Sequence, residues 1–477
     1  MRNNSHNNQL HFSNRAKTKH EKFVRRRKTK HRRLLGLLKY MNDVRETAKN
    51  NKREFSQSAF SKGKHKRYRG SKPEYSDTIK YLALKKEAFS GEGKPRKEDG
   101  NFEIPEIFSL SENYSISFSF LKRLFYALYF QSAAHIKFDY SKCKRIDIDA
   151  SVCMDILLGE FILHFNSCRK RKYDVKILEI TPVNFEKEHI QKILFSIGAF
   201  SNIKGFRINY PDIIPYPLCF GEIKHPLASK IREVHITEMV NYVLKCMVKM
   251  KRTLTAEAED NLFKVIGEVL INAEEHSSGD KRFSIGYFQD KEENGEHIGT
   301  FNLVILNFGN TIYEMFSDPD CPNKSVVAEM KDLSSSYTRK GFFSKADFEE
   351  QTLWTLYALQ EGVTSKADWK RGNGSIRFID SFFSLKGDNE KDNMSYLSIV
   401  SGNTRITFNG TYRLIDKIKG KNNRKFKMMT FNENGDIENK PDKKYVTFAD
   451  NYFPGTIISA KICIKEINTE QSDNEKQ

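Results

Sequence analysis

The chain has no CxxC pair and no apolar run approaching the ~20 residues of a membrane-spanning helix. Its seven cysteines, Cys143, Cys153, Cys168, Cys219, Cys246, Cys321 and Cys463, are scattered. That spacing excludes a zinc knuckle and a disulfide framework, and it fits a reducing, cytoplasmic setting. The first residues, MRNNSHNNQLHFSNRAK, lack the apolar stretch of a secretory signal. No internal repeat is present. With 477 residues, 38% hydrophobic and 30% charged, the chain has material for about two or three packed domains with polar surfaces.

Acidic residues are scarce at one end. Residues 1–72 hold 23 Lys and Arg against 4 acidic residues, a balance of +19, which equals the net charge of the whole chain. The other 405 residues are neutral overall. The densest run, KFVRRRKTKHRRLLGLLKY (Lys22–Tyr40), suits the phosphate backbone of a nucleic acid through counterion release. A solvated tail, an acidic lipid surface and an acidic protein satisfy the same charge. Residues 61–100 are rich in Gly, Pro, Ser and Lys and read as linker, with a short helix expected over Thr78–Phe89. Residues 1–100 therefore read as a basic arm and linker, and 466–477 as a polar tail.

From Phe102 the texture changes to alternating short strands and helices, the pattern of an α/β fold. YSISFSF (Tyr114–Phe120) alternates like a strand, and FLKRLFYALYFQ reads as a helix. HIKFDYS and YDVKILEI read as strands, KCKRIDIDASVCMDILLGEFILHFN as a strand running into a helix, and EKEHIQKILFSIGAF as a helix. The order, with IKFDYSKCKRIDIDASV, resembles the STAS domain of anti-sigma-factor antagonists, and the expected domain spans 101–215. The resemblance implies a phosphorylated Ser or Thr directly after the Asp at 149. Here Ala150 stands there and Ser151 follows it, a departure that favours helix capping by Asp149 and Ser151 over a phosphoswitch.

EVLINAEEHSSGD (268–280) raises a sharper question. A helix over Asp260–Ser277 places Asn261, Lys264, Glu268, Asn272 and Glu275 in one narrow stripe. Such a stripe is either a wet surface or one wall of a site. Downstream, the apolar strand TFNLVILNFGNTI ends in Asn307-Phe308-Gly309-Asn310. Gly372-Asn373-Gly374 opens a helix-like stretch, and two closing strands follow, YLSIVSGNTRITFNG and FPGTIISAKICI.

In this order the motifs resemble the GHKL ATP-binding fold of gyrase B, ninety-kilodalton chaperones, histidine kinases and MutL. The expected domain spans 225–465, so the whole is expected to pair two α/β (α+β) sandwiches. The resemblance implies ATP and Mg2+, with Glu268 as the base that holds the attacking water and Asn272 as a metal ligand through its carbonyl oxygen. Gly372 and Gly374 would present backbone amides to phosphate at a helix N-terminus. Lys340, Lys345, Lys366 and Arg371 lie in the expected moving lid, 317–371, where they can balance phosphate charge. Glu275 and His276 read as supporting residues. Asn307 stands where the family reads adenine with Asp, and it accepts without charge assistance, at a cost of ~1 kcal/mol. Gly309 matches the next motif position, and Thr311 replaces the motif's second Gly.

The reading is an ATP-binding, slowly hydrolysing regulator whose nucleotide state controls a protein or nucleic-acid partner. A protein kinase of the anti-sigma type and a nucleic-acid-binding scaffold with a silent nucleotide fold are the alternatives. The sequence shows no dimerisation helix carrying a phosphoacceptor His, which argues against a histidine kinase. Multidomain GHKL proteins with basic arms also occur in bacterial antiviral defence systems, a setting that the resemblance implies for this chain. Self-association stays open.

Overall fold

The longest strands pair into a five-stranded sheet whose two faces carry separate apolar cores. The computed structural model describes residues 73–85, 100–131, 133–170, 178–198, 207–293, 296–338, 348–366, 374–386, 395–419 and 424–465. The basic segment 1–72, Lys340, Lys345, Arg371 and Gly372 lie outside the described residues. The chain from Lys72 onward forms one unit.

The first elements are α1 (Asp77–Leu84), β1 (Asn101–Glu103), β2 (Ile107–Phe108), α2 (Tyr114–Tyr129) and β3 (His135–Asp139). Next come β4 (Arg145–Ile146), α3 (Ile148–Lys170), β5 (Glu179–Val183) and α4 (Glu188–Ser196). β1, β3 and β5 form a parallel sheet in that order, and β2 pairs with β4, also in parallel. Residues 73–85 do more than link. Ile79 and Leu82 of α1 are wholly buried, and Tyr75 stacks on His164 of α3 with ring centroids 3.9 Å apart.

Tyr114–Phe120 is helical, against the strand expected from its alternation. The period that wins is longer. Tyr114, Ser117, Phe118, Leu121, Leu124, Phe125 and Leu128 are buried at helical spacing, while Ile116, an alternation position, is exposed. The expected strand YDVKILEI is described only from Leu178, and there β5 begins at Glu179.

The second half holds β6 (Ile213–Glu222), α5 (Ala228–Lys249), α6 (Ala256–Glu275), β7 (Ser277–Glu293), β8 (Glu296–Gly309) and α7 (Ile312–Ser317). It continues with α8 (Lys324–Thr338), α9 (Glu350–Ala358), α10 (Gly374–Lys386), β9 (Tyr396–Phe408), β10 (Ile415–Lys419), β11 (Arg424–Met428) and β12 (Val446–Lys465). The sheet order is β6-β7-β8-β12-β9, antiparallel at every step.

Alternation along β8 shows how the sheet is used. Val304, Leu306 and Phe308 join the core shared with α2 and α3. Leu303 and Ile305 join the core shared with α5, α6 and α10. Asn307 has the parity of the second set, so it belongs to the helical face. The molecule is therefore mixed α/β, with parallel and antiparallel sheets, and the first half packs on the face of the large sheet opposite α6. Among the described residues no helix is long and apolar enough to cross a membrane.

The segment expected to be a moving lid is partly built into the core. Leu353 and Trp354 of α9 are buried in the helical-face core, and the Trp354 indole donates to Ser334 Oγ of α8 at 3.0 Å. A lid reading does not hold for α9.

Candidate functional site

α6 starts where the sequence supplies a cap. Thr255 Oγ1 accepts from the Ala258 N–H at 3.2 Å, and Glu257 and Glu259 complement the helix dipole in the first turn. The helix runs Ala256–Glu275, slightly earlier than expected, because Ser277 already belongs to β7. Leu262, Ile266, Val269 and Leu270 are buried, which turns the polar stripe away from the core. Asn261 and Lys264 face solvent. The far end of the stripe is also solvent-accessible, but it opens onto a hollow. Asn272 and Glu275 line a cavity of about 140 Å³ between α6, the sheet and α10.

The cavity's floor is apolar, with Val269, Ile305, Ile399, Phe316 and Phe378 among its walls. Its polar groups are Asn272, Glu275, His276, Asn307, Thr364, Ser365, Lys366, Ser375 and Thr456. A mostly apolar hollow with a small set of placed polar groups is the usual form of a small-molecule site.

Gly374 is the first residue of α10, and it sits against α6. A Cβ there would lie 3.1 Å from Glu268 Oε2 and 3.2 Å from Asn272 Nδ2. The two helices thus approach through a position where only hydrogen fits comfortably. Glu268 also has Arg377, one turn into α10, with Nη1 3.5 Å from Oε1. The sequence reading did not single out Arg377, although its spacing of three from Gly374 places it on the same side of α10.

At the other side, Asn307 is buried at 3% exposure and donates its side-chain N–H to the His276 carbonyl at 3.1 Å. Its Cα partners are Arg282 on one neighbouring strand and Thr456 on the other. Thr456 Oγ1 lies 2.8 Å from Ser401 Oγ, which accepts from the Ile312 N–H at 2.9 Å. This hydroxyl pair ties the start of α7 to the two closing strands. Neither residue stands out in the sequence, and the one local signal is Gly455 beside Thr456. Gly455 has φ +146, and a Cβ on it would meet the Asn307 carbonyl at 2.1 Å.

Gly309 closes β8 at the cavity's edge rather than lining it. A Cβ there would meet the His276 carbonyl at 2.0 Å, so its smallness serves strand-to-turn packing. Thr311, standing where a second glycine was expected, is the N-cap of α7. It forms a capping box with Glu314.

Electrostatics at the rim are set by burial and by one lysine. Lys366 Nζ lies 3.8 Å from Glu275 Oε2. Burial pushes the His276 imidazole down to about 4, and Lys366 adds to the effect, so the ring is neutral at physiological pH. The structure thus brings Asn272, Asn307, Lys366 and Gly374 to one cavity, with Glu268 adjoining through Gly374.

The end of α6 is held from behind. Glu274 is buried and receives Arg282 Nε at 2.7 Å and the Arg232 guanidinium. Arg282 is fully buried, and its Nη2 lies 3.1 Å from His235 Nδ1. His235 also falls within a trio with Cys219 and Glu238, the only one of metal-ligating spacing among the described residues. Its Nδ1 accepts from Arg282, so its proton sits on Nε2 and neither nitrogen has a lone pair to give. Burial, with Arg282 adding, lowers its pKa to about 4. The trio therefore reads as packing around a buried arginine.

In the first half, Asp149 does not act as a simple helix cap. It lies in the first turn of α3 and accepts from the Leu110 N–H at 3.1 Å, the Ser111 N–H at 2.8 Å and the Ser111 hydroxyl at 2.6 Å. Ser151 is 2% exposed, out of reach of a modifying enzyme.

All seven cysteines are free thiols. No protein-family model, no curated protein and no solved structure matches this chain.

Proposed function

We propose that the cavity between α6, the sheet and α10 binds Mg-ATP in the manner of the GHKL fold, and that the protein is a nucleotide-dependent regulator. One observation carries this reading: Gly374, at the N-terminus of α10, lies in contact with both Glu268 and Asn272. A helix N-terminus offers unpaired N–H groups and a positive dipole end to phosphate. Beside it stand the Glu268 carboxylate and the Asn272 side-chain amide, whose Nδ2 faces Gly374 and whose Oδ1 is the atom that would serve a hard divalent cation with water and phosphate.

The cradle at Gly374 fits such a group, because a side chain there would fill it. Asn272 would hold the metal through its carbonyl oxygen, and Mg2+ would neutralise phosphate charge. Glu268 would orient and deprotonate water, while Arg377 steadies its carboxylate. Lys366 would add positive charge at the rim. At the cavity's other side, Asn307 would read the base. Its N–H is committed to the His276 carbonyl, which leaves Oδ1 as an acceptor for an exocyclic amino group.

Hydrolysis fits better than phosphorylation within the chain. The first half, read as STAS-like, packs behind the sheet, and its Ser151 is buried there. The basic segment 1–72 is proposed to contact a polyanion, nucleic acid first, on its charge alone.

The deciding experiment is titration of the full chain with Mg-ATP, followed by calorimetry and by thermal denaturation. Ligand at 100 times its dissociation constant should stabilise the fold by about 2.7 kcal/mol. No heat and no shift in melting would overturn the reading. Glu268→Gln should then abolish phosphate release while leaving affinity near wild type.

A further inference from the structure

Helix α1 approaches from the face of the sheet opposite the cavity, yet two of its contacts end at the cavity's edge. The Tyr81 hydroxyl donates to the Gly309 carbonyl at 2.6 Å. Lys85 Nζ, just past the helix, lies 2.7 Å from Glu314 Oε1. Both targets belong to the cavity's framework. Gly309 ends β8, two residues after Asn307. Glu314 closes the capping box of α7, whose Ile312, Met315 and Phe316 form a wall of the cavity.

The target helix cannot hold itself. α7 has six residues, and a helix that short has no stability in water without tertiary support. Its support comes from the capping box, from Ser401 at the Ile312 N–H, from buried Phe316, from the Tyr313 hydroxyl donating to Glu350 of α9 at 2.7 Å, and from two groups on Glu314: Lys85 and the Tyr452 hydroxyl at 2.8 Å. Burial works against the Glu314 carboxylate, but its bonds with Lys85, the Thr311 N–H and Tyr452 outweigh that and keep it ionised. The grip of α1 therefore adds, from the opposite face of the sheet, to the fixings of a cavity wall that has little strength of its own.

We propose that α1 is a regulatory strap on the cavity: through Tyr81–Gly309 and Lys85–Glu314 it sets the order of α7, so that cavity occupancy and the anchoring of α1 bias each other. The regulatory part rests on the nucleotide reading above. By linkage, whatever loosens α1 weakens ligand binding, and bound ligand tightens α1 by the same factor. The chain leading into α1 is the basic segment, so a polyanion engaging residues 1–72 is the natural source of load on the strap.

The test is hydrogen exchange on the full chain, comparing wild type with Tyr81→Phe and Lys85→Gln. Tyr81→Phe keeps the ring and removes only the donated hydroxyl, so the fold survives. Without ligand, both variants should exchange several-fold faster over Gly309–Ser317, with exchange in α6 unchanged. With Mg-ATP, wild type should gain protection over Asp77–Leu84, and the variants should bind several-fold more weakly. Unaltered exchange over Gly309–Ser317 in both variants would overturn the strap, as would faster exchange spread evenly through α6. Faster exchange confined to Gly309–Ser317, in a protein that takes up no Mg-ATP, would uphold the strap and refute the nucleotide reading.

Discussion

Asn307 donates its side-chain N–H to the His276 carbonyl at 3.1 Å, and that bond fixes which end of the amide is left as acceptor. The position is 3% exposed, so the orientation is enforced by what surrounds it. Asn307→Asp would set a carboxylate oxygen against the carbonyl and leave a buried charge without its partner. At neutral pH the variant should lose about 1–3 kcal/mol of stability. The variant's carboxyl has a folded pKa raised above its unfolded value, because only the protonated form donates to the carbonyl. The loss should therefore shrink as pH falls through that folded pKa. Urea denaturation at pH 7 and pH 4.5 reads both effects. Equal stability of wild type and variant at pH 7 would show the amide to be turned the other way.

Gly374 gives a steric test of the α6–α10 approach. In Gly374→Ala the new Cβ lies 3.1 Å from Glu268 Oε2 and 3.2 Å from Asn272 Nδ2, tighter than ordinary contact. The helices must part by a few tenths of an ångström, and the first N–H groups of α10 move with them. Affinity for Mg-ATP should fall at least tenfold, about 1.4 kcal/mol, with only a small change in melting temperature. Calorimetry beside a thermal melt separates the two.

Glu274 tests the support behind the site. It is buried between Arg232 and Arg282, and Arg282 has no exposed surface. Glu274→Ala leaves a buried guanidinium uncompensated, which costs about 3–5 kcal/mol. Glu274→Gln keeps an acceptor for Arg282 and should cost less. If chemical denaturation finds the two variants equally stable, the buried charge is not what holds this end of α6.

These features differ in how far the sequence shows them. Glu268 and Asn272 are four apart on one helix, so their pairing is local and legible. Gly374 is legible as a helix-opening glycine, but its contact with those two side chains is not. Thr456, Ser401, Tyr81 and Glu314 meet their partners through strand register or across the sheet, at separations that no periodicity records. The alternation of Tyr114–Phe120 misleads because small serines separate the apolar residues. Only continuation of the pattern to Leu128 shows that the period is helical. The expected lid fails at α9 for a related reason. Leu353 and Trp354 look like a short apolar run, and nothing local says that they join the core.

Asp147 supplies a pH dependence. Burial, and then the neighbouring charge of Asp149, raises its carboxyl to about 6, against the pull of Arg145. A carboxyl with a raised folded pKa binds its proton more tightly in the native state. Its contribution is therefore fullest below the unfolded pKa of 3.8 and is lost as pH rises from about 4 to about 6. Asp147→Asn has no proton to lose. The stability difference, variant minus wild type, should grow in the variant's favour across that window and stay level above it. A difference that is flat from pH 4 to pH 7 would contradict the raised pKa.

The basic segment makes the last prediction. Residues 1–72 carry the chain's entire net charge of +19, and the remaining residues balance. Binding to a polyanion through this segment should weaken linearly in log–log terms with salt. Each neutralised phosphate adds about 0.9 to the slope on duplex DNA and about 0.7 on single strands. A protein lacking residues 1–72 should lose this binding and keep α1, whose Ile79 and Leu82 are buried in the core shared with α2 and α3. The comparison is full-length against truncated protein on mixed-sequence RNA and DNA, at several salt concentrations, with and without Mg-ATP. Undiminished binding by the truncated protein would move the nucleic-acid surface to the folded part. A salt slope that Mg-ATP alters only in the full-length protein is what a strap between the basic segment and the cavity requires, because the ligand can change polyanion affinity only through a differential hold on α1.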